Sequence, residues 1–514
     1  MKTRISTRFF SLLTAAILIL SSCDKDDDAL VSAPPPPPPP PPAPVVIKPD
    51  LVFFGISASN VLVRYNANAT QTVQAQVAVT GLAAGENLMG IDFRPATGQL
   101  YGLSTFNRLY VINTETGVAR AVGTGPFTPS LSATITGFDF NPTVDRIRVV
   151  GNGGQNIRLN PETGALVATD GNINNAERIT GVAYTNSFAG ASATTLFDID
   201  NFNLFKQDPP NNGTITTIGS LGLVSTGAGD FDISPDNKVI LVPATVGTVN
   251  SLYQLDTLTG KLRNLGTLSI PLIGLAIPTD PVAYSTDNAS NLLIFNLTSV
   301  PNTPVSKVIT GLQAGETILG IDMRPATGQL YALGSTSRLY AINMANGAAA
   351  QVGAGPFTTP LAGTSFGFDF NPTVDRIRVV SNTGQNLRLD PNTGSIASVD
   401  GNLNPGTPAV SAAAYTNNFA GATTTTLYVI DHATDKLYMQ VPPNNGTLVE
   451  VGALGINVTA DNGFDIGGRS GKAYGIFSIG ALTKLYTFDL STGLAVSQVD
   501  YPGVAKGLAI GLGF

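Results

Sequence analysis

The sequence contains no tryptophan, one histidine and one cysteine in 514 residues, and only 12% of it is charged. Each shortage excludes something. A single cysteine, Cys23, makes no intrachain disulfide, so the fold rests on burial and hydrogen bonding. His432 has no partner in the repeated part of the chain, where Asn201 stands at the matching place. It reads as a turn residue, and catalysis built on histidine would be missing from half the protein. No Ser–His–Asp set, zinc-ligand spacing or phosphate loop with its lysine is visible. Only carboxylate, tyrosine or metal-assisted chemistry is left open. The net charge of -7 makes nucleic acid or an anionic membrane surface a poor partner. Outside the N-terminus no window of ten or more residues carries a 3.6-residue apolar period, which points to an all-β body.

What is present begins with an export signal. Lys2, Arg4 and Arg8 precede the apolar run "FFSLLTAAILIL" (9–20), too short to span a bilayer comfortably. "LSSC" (20–23) resembles the lipobox of a bacterial lipoprotein signal. The resemblance implies cleavage before Cys23 and lipidation of that residue; an ordinary secretory signal with a chance cysteine is the alternative. The acidic run "DKDDD" (24–28) resembles the tag that sends such lipoproteins to the cell surface, or is a plain solvated charge run. The nine prolines at 34–42 form a stiff spacer; with the "AP" that follows it reaches roughly 30 Å, at about 3.1 Å per residue. Residues 1–22 are thus signal and 23–50 anchor, tag and spacer, with an outer-membrane protein facing outward as the expected location.

The body is repetitive. "GFDFNPTVDRIRVV" occurs at 137–150 and again, unchanged, at 367–380. Within each copy a shorter unit recurs: four short alternating strands joined by turns rich in Gly, Asn, Pro and Thr, as in "GIDFRPATGQLYGLSTFNRLYVINTETGVARAVG" (90–123). Unit starts near 90, 137, 181, 229 and 274 are spaced by roughly 44–48 residues, the period of a propeller blade. The second copy repeats the series, so ten four-stranded blades are expected. They divide into a first propeller domain at 51–280 and a second at 281–514. "GLAI" (274–277) and "GLAIGLGF" (507–514) are placed to complete the first blade of each copy. That favours two five-bladed rings over one ring of ten. "FNPTVDRIRVVSNTGQNLRLDPNTG" (370–394) and its partner at 140–164 resemble the signature of the bacterial domain-of-unknown-function family 4394. The resemblance implies two tandem propeller-like domains and no established activity.

Two residue sets carry chemistry. The third position of each innermost strand reads acid, acid, Ala, acid, Ala in both copies: Asp92, Asp139, Ala183, Asp232, Ala276, then Asp322, Asp369, Ala414, Asp465, Ala509. Three carboxylates would converge on each axis. They either lock blade to blade by accepting backbone N–H groups or offer hard oxygen ligands to Ca²⁺ or Mg²⁺. The second set is Arg146, Arg148, Asn156 and Arg158, with Arg376, Arg378, Asn386 and Arg388 in the second copy. Paired guanidinium groups on adjacent strands grip an anion, or form cross-strand pairs with aspartates such as Asp145 or one in a neighbouring blade. "PPNNGT" (209–214 and 442–447) reads as a turn. The leading expectation is a monomeric, lipid-anchored, non-catalytic propeller that binds a surface ligand or protein and needs no cofactor beyond a candidate Ca²⁺. A metal-dependent lactonase or hydrolase is the alternative, and an envelope spacer the third reading.

Overall fold

Every stretch that alternates apolar and polar residues becomes a strand in the computed structural model. It describes residues 47–132, 136–173, 178–223, 225, 227–299 and 303–514. The signal, Cys23, the acidic run and the polyproline spacer lie outside the described residues. The chain divides into two units, Met1–Ile47 and Lys48–Phe514. Residues Lys48–Phe514 fold as ten antiparallel sheets, nine of four strands and one of five. No α-helix occurs among the described residues.

Four sheets of the first half follow the chain. Blade 2 runs Leu88–Phe93, Leu100–Ser104, Leu109–Ile112, Ala119–Val122. Blade 3 runs Thr136–Asn141, Arg146–Gly151, Asn156–Leu159, Leu166–Thr169. Blade 4 begins at Gly181–Tyr184, and blade 5 has its innermost strand split into Gly227–Ala228 and Asp232–Ile233. Blade 1 is composite: Val52–Ile56 pairs with Val61–Asn66 on one side and with the distant Gly274–Ala276 on the other. The second half repeats this. Val282–Thr286 pairs with Lys506–Ile510 in blade 6, and blades 7 to 10 begin at Ile318–Arg324, Phe366–Asn371, Val410–Tyr415 and Asn462–Ile466.

The innermost strands also touch one another in order. Gly274–Ala276 lies against Leu88–Phe93, which lies against Thr136–Asn141, then Gly181–Tyr184, then Asp232–Ile233. An isolated bridge joins Asp230 to Gly274. In the second half Lys506–Ile510 touches both Ile318–Arg324 and Asn462–Ile466. These approaches need glycine at the head of "GFDF". A Cβ on Gly137 would come within 2.5 Å of the Val182 nitrogen, and one on Gly367 within 2.6 Å of the Ala413 Cβ.

The core sits between blades. Phe138, Phe140, Ile147, Val149, Ile157 and Leu159 of blade 3 form one buried cluster with Tyr101, Leu103 and Leu109 of blade 2. The halves share a cluster as well: Ala96 packs with Val282, Tyr284, Ile321 and Leu512. The Tyr284 hydroxyl donates to the Ala96 carbonyl at 2.9 Å, and Gln329 Nε2 to Glu162 Oε2 at 2.9 Å.

Because Lys506–Ile510 completes the sheet that Val282 begins, residues 281–514 alone contain all the strands of their own blades. Expressed alone they are expected to unfold in one cooperative transition, at a lower Tm than the whole chain because the shared cluster is lost. A fragment ending at 504 lacks the closing strand and should be molten. Circular dichroism melts of the two fragments decide this; a molten 281–514 fragment would refute independent closure.

Candidate functional site

An innermost strand leaves its inward edge without a ladder partner, so its N–H groups need acceptors from elsewhere. The aspartates supply them. Asp92 accepts from the Phe93 nitrogen at 2.7 Å and, across to blade 3, from the Phe140 nitrogen at 2.8 Å. Asp139 accepts from the Tyr184 nitrogen of blade 4 at 3.0 Å. Asp232 reaches the Ile277 nitrogen at 2.6 Å, just beyond the strand that completes blade 1. The second half matches: Asp322 with Phe370, Asp369 with Tyr415, Asp465 with Ile510. None of the six is more than 3% exposed.

Oxygens of Asp92, Asp139 and Asp232 all lie within 4.8 Å of one another, as do those of Asp322, Asp369 and Asp465. Burial pushes the Asp92 and Asp139 carboxyls well above their ordinary range, and repulsion within the set pushes further against the pull of the backbone donors. Burial also raises Asp232 and Asp465, each to about 7. Three oxygen donors at this distance have the chemistry of a hard-cation site, and Asp139 Oδ2 and Asp369 Oδ2 are the carboxylate oxygens without a backbone donor among the described residues. In the second half a small cleft of about 10 Å³ lies among the innermost strands, lined by Gly320, Phe366, Gly367, Asn462, Gly463 and Gly507 among others.

Sequence reading missed a fourth acid at the inner edges of the first half. Asp230 accepts from the nitrogens of Phe138, Val182 and Phe231. The matching residue of the second half is Gly463, which hid the position from the repeat pattern.

The arginines sit on the opposite side of blade 3 from its phenylalanines. Asp139 pairs in register with Arg148, and Arg148 with Arg158. The carboxylate that holds them is neither Asp145 nor one from a neighbouring blade. It is Asp170, just past the outermost strand of the same blade: Arg148 reaches it at 2.5 Å and Arg158 grips it with two bonds of 2.8 Å. Arg148, 2% exposed, also donates to Asn156 Oδ1, the Tyr184 hydroxyl and Asn211 Oδ1. Asn211 belongs to "PPNNGT", so that loop is more than a turn; it latches blade 4 onto blade 3. Arg378, Asn386, Arg388, Asp400 and Asn444 repeat the arrangement. Burial raises the Asp400 carboxyl, but bonds from Arg388, Ser398 and Arg378 outweigh it and hold the group below its usual range. Arg146 and Arg376 stand outside this knot, each donating to the carbonyl of the preceding Asp.

Asp145 has a different partner. It takes the left-handed backbone (φ 50°) at the end of the turn opened by Asn141, and its carboxylate binds the fully buried Arg94 of blade 2. Arg324 and Asp375 repeat the pair. The signal for Arg94 was in the sequence: "RPATGQLY" is identical at 94–101 and 324–331. The fourteen repeated residues therefore fasten blade 3 on both sides, to Arg94 and Tyr101 behind and to Tyr184 and Asn211 ahead. His432 sits in a turn.

The family model described as "Domain of unknown function (DUF4394)" matches residues 61–276 and 291–509. No functionally curated protein matches the chain. Two solved structures that resemble it are both of the extracellular domain of BT4673 from B. thetaiotaomicron, described once as a hybrid two-component system and once as a one-component system. They share 11% and 12% identity with TM-scores of 0.26 and 0.23, covering 89% and 87% of this chain and 71% and 66% of theirs. No helix among the described residues is long and apolar enough to cross a membrane.

These contacts predict unequal effects from similar changes. With a native pKa near 7 against about 4 unfolded, Asp232 and Asp465 hold more protons folded than unfolded between those values. Their contribution to stability is present at low pH and lost as pH rises through about 7. Asp139→Asn keeps its one bond to Tyr184, removes a repelling charge and should flatten that loss. Asp92→Asn sets an amide donor against a backbone donor and should cost about 1–3 kcal/mol. Arg148→Ala leaves Asp170 buried with one guanidinium instead of two, and a broken buried pair costs roughly 3–5 kcal/mol. Denaturant melts of the three variants from pH 5 to 8 test the set; equal effects of Asp92→Asn and Asp139→Asn would refute the assignment of their bonds.

Proposed function

The chain belongs to the DUF4394 family, as two successive copies, and we propose that it is a non-catalytic binding module: two five-bladed rings carried on a lipid anchor at the cell surface. The observation that carries the reading is the burial of the repeated acids. Six aspartates that would have to face a substrate are at most 3% exposed and bonded to backbone N–H groups. Four of the repeated arginines, Arg148, Arg158, Arg378 and Arg388, are committed to Asp170 and Asp400. A cleft of about 240 Å³ lies over Arg376, Arg378 and Arg388, but Arg378 and Arg388 are already held by Asp400, and Arg376 sits 3.4 Å from Asp390. Ring closure in fives is supported by the cyclic order of the innermost strands within each half. Anchoring rests on "LSSC" with Cys23, and export on "DKDDD".

A metal-dependent hydrolase is the second reading, favoured by one observation: in each half one oxygen from each of three carboxylates lies within 4.8 Å of the others, and one of the three residues has an oxygen with no backbone donor among the described residues. It needs a path from solvent that the buried acids do not offer. The test is hydrolysis of a panel of lactones and simple esters by the purified chain, with calcium and with chelator. The expected result is no turnover above background in either. Calcium-dependent turnover abolished by Asp139→Asn together with Asp369→Asn would overturn the binding reading.

A further inference from the structure

The repeated charges are spoken for, which directs attention to charges that the repeat does not explain. A cleft of about 430 Å³ lies where the two halves meet. Gln99, Val118 and Arg120 line it from the first half, and Phe419, Arg469 and Leu512 from the second. Arg120 stands on the outermost strand of blade 2, half-buried, with no hydrogen bond or ion pair among the described residues. Burial pushes its guanidinium pKa down, with Tyr101 as the group that opposes the shift. Arg469 is 19% exposed and its one counter-charge is Glu115, 3.6 Å away and itself 77% exposed. Burial lowers its pKa too, with Glu115 offsetting part of the shift.

Neither arginine belongs to the repeat. Ala350 occupies the place of Arg120 in the second copy, and the first copy has Asp236 near the place of Arg469. Phe188, the counterpart of Phe419, lines a different cleft of about 260 Å³, formed with residues 280–305 rather than with the counterpart of Arg120's strand, and its one charged residue is Asp280. The cleft beside Phe419 holds two arginines against one acid, Glu115. A guanidinium stripped of water without a partner is costly, and an anion entering the cleft would remove that cost.

We propose that this cleft binds a small organic carboxylate with an apolar or ring-shaped body, the carboxylate on Arg120 with Arg469 as second donor, and the body against Phe419 and Val118. The proposal rests on the binding-module reading and names its ligand class. The volume suits one or two rings and excludes a folded partner.

The test is calorimetric titration of the full mature chain with benzoate, hippurate and galacturonate, with hippuramide and sulfate as controls. At least one carboxylate is expected to bind with a dissociation constant below about 10 mM. Arg120→Gln should weaken it at least about tenfold, and Phe419→Ala should weaken the aromatic probes more than sulfate. Both variants should melt within a degree or two of the parent, because Arg120 gives up no bond. No binding by any of the three, equal binding by hippuramide or by Arg120→Gln, or sulfate binding as tight as the carboxylates would each overturn the proposal. Hydrolysis of a lactone would sink the binding-module reading instead, and would leave these titrations as they are.

Discussion

The rest of the structure depends on a carboxylate reaching sideways from one innermost strand to a backbone N–H of the next. A blade satisfies its own ladder hydrogen bonds between its strands, which leaves two edges, and the donors of the inner edge face neighbouring blades rather than another strand. A neutral amide would offer one acceptor and bring two donors of its own. An aspartate offers two acceptors and no donor, which is why Asp92 can hold Phe93 and Phe140 at once. The solution has a built-in limit. Carboxylates brought together away from water lose hydration and repel one another, and the raised pKa values of Asp92 and Asp139 register burial first and that repulsion second. Ala183 and Ala276 keep this strand position from carrying a charge in every blade, although Asp230 adds a fourth inner acid to the first half.

The second fastening layer lies farther out and works by a different rule. Arg148 brings a planar fork of donors to partners from two blades, and a buried guanidinium tolerates no missing partner. Asp170 serves Arg148 and Arg158 together, so the knot buries Arg148 and the carboxylate while Arg158 keeps one side to water. The inner lock and the outer knot meet in Tyr184, whose backbone nitrogen donates to Asp139 while its hydroxyl accepts from Arg148. Blade 3 is thus tied to blade 4 at both levels through one residue, and Tyr415 does the same in the second half.

Blade period, strand alternation and the completing strands were legible because they rest on local rules: turn residues at fixed spacing and apolar positions every second residue. The acid pattern was legible because it repeats. Partners were harder, since Asp170 and Arg148 are 22 residues apart and Arg94 and Asp145 are 51, with nothing in a strand pattern to join them. Repetition of "RPATGQLY" and "PPNNGT" marked those segments, but they also make good turns, and the turn reading was sufficient until the side chains were placed. Residues that break the repeat were least legible. Asp198 is fully buried with neither oxygen bonded among the described residues, and burial raises its pKa well above the ordinary range. The second copy has Val429 there, the residue such a position suits.

Those breaks separate two kinds of constraint. A residue present in both copies answers to the blade, because each half must close its own sheets and satisfy its own inner edges. A residue present in one copy answers to something the copies do not share, and the seam between them is the part of the body where their surroundings differ. Glu162 illustrates this at the level of structure: it bonds Arg94 within its own half and Gln329 of the other, while Asn392, its counterpart, bonds only Arg324. Arg120 differs from Glu162 in bonding nothing across the halves among the described residues, and Arg469 reaches the first half only through the exposed Glu115. Their charges stand beside an open cleft with too little counter-charge, and no feature of blade closure requires them there. Duplication supplied two copies of one scaffold; the seam, which neither copy has alone, is where a ligand-specific surface can arise without disturbing the locks that hold either half.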